Sequence, residues 1–417
     1  MAREEQALRG NTVALVGGTL IDGRGGDPHE DSVVLVSGRT IEAAGNRDAV
    51  GVPGEAEVID VSGKTVMPGM IDCHCHISLT SLSLEENLFT RPTVRTLRAV
   101  DMMKRTLRAG FTTIRDAGTL NDMGFREAVE MGLIEGPRLV LAGALVQTGG
   151  HFDLHYPCGV RLPFLGGELC DGVAGVQEAA RKVLREGFDF IKISTSGGVG
   201  FPGDSPWYTE WTPEELKSIV YEASARGKAV MAHAMDNQGI KNAVRAGVWS
   251  VEHGSSLDDE AIQMLLDTGT YLVSTHMIIQ RLSAPGGGSH LAPLCQADAE
   301  RLLNVHFESF KRAVAAGVKI AVGTDAITAE MHGQNARELE NVVRYGLTPM
   351  QAIVAATKTA SEVCRVDDKV GTLEPGKLAD LLVVNGNPMN DISMLQDQSR
   401  LLLIMKEGRV CVDRMAS

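Results

Sequence analysis

Eight short apolar runs, most of them followed by a helical pattern, constrain this chain more than any other feature. They are MIDCHCHI (70–77), FTTIRDAG (111–118), RLVLAGAL (138–145), FDFIKIST (188–195), KAVMAHA (228–234), SVEHG (250–254), TYLVSTH (270–276) and KIAVGTDA (319–326). Between them, stretches such as TPEELKSIVYEASARG (212–227) and AERLLNVHFESFKRAVAAG (299–317) carry apolar residues at helical spacing. A strand that leads through a helix to the next strand pairs with it in parallel, because the chain must cross back before it can run the same way again. Parallel strands are covered on both faces, so their runs stay apolar throughout. Eight such units predict an α/β fold, a closed (β/α)8 TIM barrel over residues 67–365. Glycine-broken strand patterns return at both ends, in TVALVGGTL (12–20), DSVVLVSGRTI (31–41), VIDVSGKTVMPG (58–69), KLADLLVVNG (377–386) and LLLIMKEGRVCV (401–412). Residues 1–66 and 366–417 are therefore expected to build one small β-sandwich domain beside the barrel.

The net charge is −13. Nucleic acids and anionic membranes need a basic face, so neither is an expected partner. The run LLLIM (401–405) falls far short of the ~18 apolar residues of a membrane span. The segment MAREEQALRG has no apolar core of a secretion signal. Seven scattered cysteines make no disulfide framework and suit a reducing, cytoplasmic setting.

Barrels of this kind carry their chemistry at the C-terminal ends of the strands. The titratable residues there are His74 and His76 on the first strand, Lys192 on the fourth, His233 on the fifth, His253 on the sixth and Asp325 on the eighth. Alternation puts Asp72, His74 and His76 on one face and Cys73 and Cys75 on the other. Histidines facing the mouth would share a metal, with the cysteines turned to the helices as small apolar groups. A Cys-x-Cys thiolate site and a plain pair of hydrogen-bonded histidines are the competing readings. Lys192 sits between Ile191 and Ile193, and a buried lysine is costly unless it is paired, neutralised or reaches solvent. Its chemical alternative is capture of CO2, which gives an anionic carbamate suited to bridging two divalent ions. His233 and His253 are metal ligands by type, although a lone buried histidine is usually satisfied by a hydrogen bond. Asp325 reads either as a helix cap or as a ligand that also takes a proton from water.

As a set, these residues resemble the amidohydrolase superfamily. The stretches VMPGMIDCHCH (66–76), TGGHFD (148–153), IKISTSGGVGFPGD (191–204), HGQNARELE (332–340) and LEPGKLADLLVVNGNP (373–388) resemble its prolidase-like branch, related to imidazolonepropionase. That branch includes Xaa-Pro dipeptidases and carboxypeptidases acting on C-terminal Lys or Arg. The resemblance spans roughly residues 10–415. It implies a binuclear metal-dependent amidohydrolase that cleaves a C–N amide bond and assembles as a homo-oligomer. It also implies ligand roles: His74, His76 and Asp325 on the more buried ion, His233 and His253 on the more exposed one, and carboxylated Lys192 with a hydroxide between them. Asp325 would take the proton of the attacking water, and His151 would contact substrate. Zinc suits nitrogen and oxygen donors, and Mn, Co or Fe would fit the same set. Two divalent ions against the carbamate, Asp325 and hydroxide leave about +1, enough to polarise a carbonyl and stabilise an oxyanion.

One departure matters. Dipeptidase members often carry Tyr shortly after the fifth-strand histidine, whereas HAMD here supplies Met235. The expected substrate is a dipeptide or N-acyl amino acid, with a xenobiotic amide, carbamate or urea as the alternative; Met235 weakens the dipeptide assignment and favours a bulkier, less peptide-like amide or carbamate. Other substrate-binding candidates are His155, Tyr156, Tyr208, Trp211, His332 and Arg337. PWYTEW (206–211) concentrates rings in a chain that is 4% aromatic, either to line a pocket or to pack its own loop. Arg337 would grip a substrate carboxylate or pair with Glu338 or Glu340. His276 is expected on the seventh strand at the mouth, and PGGGS (285–289) as a mobile loop. Lys192 argues against a mononuclear deaminase, and the full ligand set against a non-catalytic scaffold.

Overall fold

The computed structural model describes residues 12–79, 81, 83, 86, 89–118, 123–154, 167–199, 203–284 and 293–415. His155, Tyr156 and the PGGGS stretch lie outside the described residues. Eight parallel strands form the barrel: β6 (Met70–Cys75), β7 (Phe111–Asp116), β8 (Arg138–Val146), β10 (Phe190–Ser194), β11 (Ala229–Ala234), β12 (Ser250–His253), β13 (Tyr271–Val273) and β14 (Ile320–Ala321). They hydrogen-bond in sequence order, and backbone bonds from Cys73 N to Val322 O and from Asp325 N to His74 O join the last strand to the first. Gly323 permits this closure, because a Cβ there would lie 2.8 Å from the Cβ of His74.

The alternation of side chains explains the two layers of core. Ile191, Ile193, Val230, Ala232, Val251 and Leu272 pack outward against helix residues such as Leu216, Ile219, Ile240 and Val244. One residue out of phase, Phe190, Met231, Val273 and Ala321 form a second cluster with Val140, Ala142 and Ile71. That cluster includes Ala360, Val363 and Cys364 of the helix Lys358–Cys364. The helices start where their sequences say they should. Pro213–Ser224 follows a capping box in which Thr212 and Glu215 satisfy each other's backbone N–H groups. Gly187, Gly247 and Gly269 end three others in the left-handed conformation.

A second sheet holds strands from both ends of the chain: β1 (Thr12–Leu20), β2 (His29–Ser37), β3 (Thr40–Asn46), β4 (Glu57–Asp60), β5 (Thr65–Pro68), β15 (Leu381–Val384), β16 (Leu401–Lys406) and β17 (Arg409–Asp413). The two ends meet where β15 pairs antiparallel with β5, Leu381 opposite Pro68. The short strand β9 (Glu168–Leu169), which pairs with β8, has no counterpart among the expected strands. No helix among the described residues is long and apolar enough to cross a membrane.

Two expectations fail locally. His276 is not on a strand; β13 ends at Val273, and His276 opens the helix His276–Ser283 because Glu338 accepts the backbone N–H groups of both His276 and Met277. The strict alternation of β6 also fails, since its register against β7 shifts between Asp72 and Cys75. Cys73 and Cys75 consequently enter different apolar clusters, Cys73 beside Cys364 and Cys75 beside Ile114 and Leu141. Asp72 does not join the histidine rings; it accepts from Thr324 Oγ1, Asn335 Nδ2 and the backbone N–H groups of Thr324 and His74.

Candidate metal centre

His74, His76 and Asp325 converge at the mouth, each offering one ligand atom within 4.8 Å of the others. Asp325 Oδ1 lies 3.1 Å from His76 Nε2 and 3.6 Å from His74 Nε2. Among the described residues no N–H is well aligned on that buried oxygen, close as His76 Nε2 is. A buried acceptor without an aligned donor is costly, and one facing two imidazole nitrogens suits a cation. Burial opposes ionisation of Asp325, but His74, His76 and Lys192 outweigh it and hold the carboxyl well below the usual range.

Lys192 completes this group from across the barrel, its Nζ 3.4 Å from His74 Nε2. It is 1% exposed and, among the described residues, makes no ion pair. Neither plain reading of this lysine, a salt bridge or a reach to solvent, is met. Burial lowers its pKa to about 8, so about a tenth of the amine is uncharged at pH 7, far more than for an ordinary lysine.

His253 and His233 stand beside them, with ring centroids 4.5 Å apart and His253 5.1 Å from His74. Burial and neighbouring positive groups push His74, His233 and His253 well below 6.5, leaving neutral imidazoles. Each ring has one nitrogen committed elsewhere. His74 Nδ1 meets Glu252 Oε2 at 2.9 Å, His253 Nδ1 meets Thr275 Oγ1 at 2.6 Å, and His233 Nε2 meets the Gly197 carbonyl at 3.1 Å. The other nitrogen remains to coordinate a metal, as in known metal sites. His253 and Asp325 both occupy left-handed backbone, with φ of 70° and 53°. This region is uncommon for residues other than glycine and is enriched in Asp and His.

His151 stacks on His233 with centroids 4.6 Å apart. Its Nδ1 meets Asp204 Oδ2 at 2.6 Å, and its backbone N–H donates to Glu210 at 2.7 Å. Burial disfavours the His151 cation, but the Asp204 carboxylate outweighs this and raises its pKa; burial also lifts Glu210 to about 7. The ring lies directly over Gly198, where a Cβ would come within 2.3 Å of it.

The other substrate candidates scatter. Trp211 is buried and donates its Nε1–H to Ser194 O at 2.6 Å, while Trp207 donates to Asp298 and lies under Arg301. Tyr208 is 59% exposed. His332 is buried between Thr106 and the His76 carbonyl. Arg337 is exposed and bonds Gln334, not Glu338 or Glu340. The sequence reading did not single out Glu252 and Arg115, which stand behind His74, or Asp204 beside His151. Their signal was available: Glu252 and Arg115 are charged residues inside apolar strand runs.

The amidohydrolase family model matches residues 65–411. Ochratoxinase of Aspergillus niger is 33% identical over 94% of this chain and 85% of its own length. A prolidase solved with N-methylphosphonate-L-proline is 33% identical with a TM-score of 0.89, covering 97% of this chain and 100% of that one. A Xaa-Pro dipeptidase with methionine bound in its active site is 30% identical with a TM-score of 0.86, covering 96% and 99%. The chain belongs to the amidohydrolase family and is a hydrolase acting on C–N bonds.

Proposed function

We propose that this protein is a binuclear metal-dependent amidohydrolase that cleaves the amide between a bulky apolar acyl group and an amino acid. The observation that carries the reading is Lys192, a buried amine that pairs with no carboxylate among the described residues, 3.4 Å from a histidine that also faces the buried Asp325 oxygen. As a carbamate it would become an anionic ligand shared between the His74–His76–Asp325 group and the His233–His253 group. Divalent ions held there would polarise the scissile carbonyl and lower the pKa of water toward about 7.

The chain's own residues supply the remaining steps. Asp325, held ionised, accepts the proton of the attacking water and passes it to the leaving amine. His151, fixed by Asp204, faces the substrate beside His233. Relatives named prolidase and Xaa-Pro dipeptidase support an amino acid as one half of the substrate. Met235 supports an apolar other half: it belongs to one buried apolar cluster with Ile77, Val199 and Ile327, which follow the first, fourth and eighth barrel strands. A carbamate or urea would use the same residues.

Metal content and turnover are measured together, on Xaa-Pro, Xaa-Arg and Xaa-Lys dipeptides, N-acyl amino acids, aryl carbamates and phenylureas. About two ions per chain with fastest turnover of an N-acyl amino acid, both lost in Lys192→Ala, is the expected result. One ion or none in the wild type, or activity indifferent to Lys192, overturns it; a faster carbamate or urea moves the substrate class only.

A further inference from the structure

Behind His74 lies a charged line that the proposed reaction does not use. Glu252 and Arg115 are both 0% exposed. Glu252 Oε2 is 2.9 Å from His74 Nδ1, and its Oε1 is 2.8 Å from Arg115 Nη2 and accepts the Ser250 hydroxyl. Arg115 also donates its Nε–H to the carbonyl of Cys73 at 2.7 Å and an Nη1–H to Ser250 Oγ at 3.1 Å. Its guanidinium lies 5.1 Å from the Phe190 ring centroid.

Removing an ion pair from water costs several kcal/mol per ion, and an apolar pair of similar size is often as stable or more so. Folding alone therefore gives little reason for a dry Arg–Glu pair at this position. Its geometry gives one. A carboxylate only accepts, so Nδ1 of His74 must carry the ring proton, which leaves the Nε2 lone pair directed at Asp325 and Lys192. The negative charge also raises the basicity of that nitrogen. Arg115 holds the carboxylate and, through the Cys73 carbonyl, the backbone next to His74.

We infer that Glu252 and Arg115 are positioning residues that fix the His74 tautomer and make the ion bound by His74 the tighter of the two. The inference rests on the binuclear reading above.

The test is Zn2+ titration of chelator-stripped protein against a chromophoric competitor, for wild type and Glu252→Gln, with thermal midpoints of the metal-free forms. The expected result is that Glu252→Gln weakens one ion about ten- to a hundredfold and leaves the other within about threefold, even though the metal-free midpoint drops because Arg115 loses its buried partner. Unchanged affinities overturn the inference. So does parallel weakening of both ions, which is the mark of a merely structural pair. If Glu252→Gln leaves Arg115 buried without a partner and fails to fold, the double variant Arg115→Met/Glu252→Gln removes that charge and is judged by the same affinities. A wild type that binds no ion fails the binuclear reading itself, a separate outcome.

Discussion

The two halves of the histidine cluster use the same side chain with different backing. His74 rests on the Glu252 carboxylate, itself held by Arg115, whereas His253 rests on the Thr275 hydroxyl and His233 on a backbone carbonyl. All three rings are buried and neutral, so burial does not distinguish them. What differs is the charge behind the ring, which sets how strongly the opposite nitrogen donates to a cation. The Asp325 oxygen also faces the His74 side. One half has an anionic partner behind its ring; the other has neutral partners.

The sharpest way to break this comparison is Asp325→Asn, which removes the proposed ligand and proposed proton acceptor together. kcat should fall by about 10³ or more, with loss of the ion proposed at His74, as read by steady-state rates and metal content. Near-normal kcat would remove Asp325 from the chemistry.

A third pair of buried histidines serves as a control. His276 Nδ1 and His306 Nε2 share a hydrogen bond of 2.7 Å, and Glu338 spends its oxygens on backbone N–H groups. No ligand group of three forms there among the described residues. Burial raises Glu338 from 4.5 to about 7, so the folded state keeps a proton that the unfolded state has lost. Stability should therefore fall as pH rises from about 4.5 through about 7, by something on the order of 3 kcal/mol, and then level off. Glu338→Gln should flatten this fall in urea midpoints of the metal-free protein. An equal slope in both proteins would show that the carboxyl is not held neutral.

Gly198→Ala probes the substrate side alone. Its methyl would strike the His151 ring, which Asp204 prevents from swinging away. A loss of about tenfold or more in kcat/KM with both ions retained is expected; unaltered kinetics would free His151 from any role in substrate contact. Smallest of all should be Thr275→Val, which replaces a neutral partner of His253. Less than about a threefold loss of metal affinity is expected, and a loss matching that of Glu252→Gln would erase the distinction between the halves.

Much of this was legible beforehand. A polar residue that interrupts an apolar strand run is costly wherever the strand is buried, so His74, His76, Lys192, His233, His253 and Asp325 stood out from the sequence alone. The eight strand–helix units predicted the barrel for the same kind of reason, since hydrophobic period reports local geometry. Alternation misled where the backbone departs from it. In SVEH it would turn Glu252 inward and His253 outward; the left-handed φ of His253 brings both to the site. PWYTEW divided among three fates, because its rings answer to the partners Ser194, Asp298 and solvent, which lie elsewhere.

By itself, then, the sequence determined the barrel, the strand ends and the residue types offered there, because these follow from periodicity and burial cost within each segment. Only the tertiary structure decided which of those residues meet. Closing the barrel brings Arg115, Glu252 and His74 into line across 137 and 178 residues of chain. Left-handed turns at single residues aim His253 and Asp325. Both depend on curvature and closure, which no single segment contains.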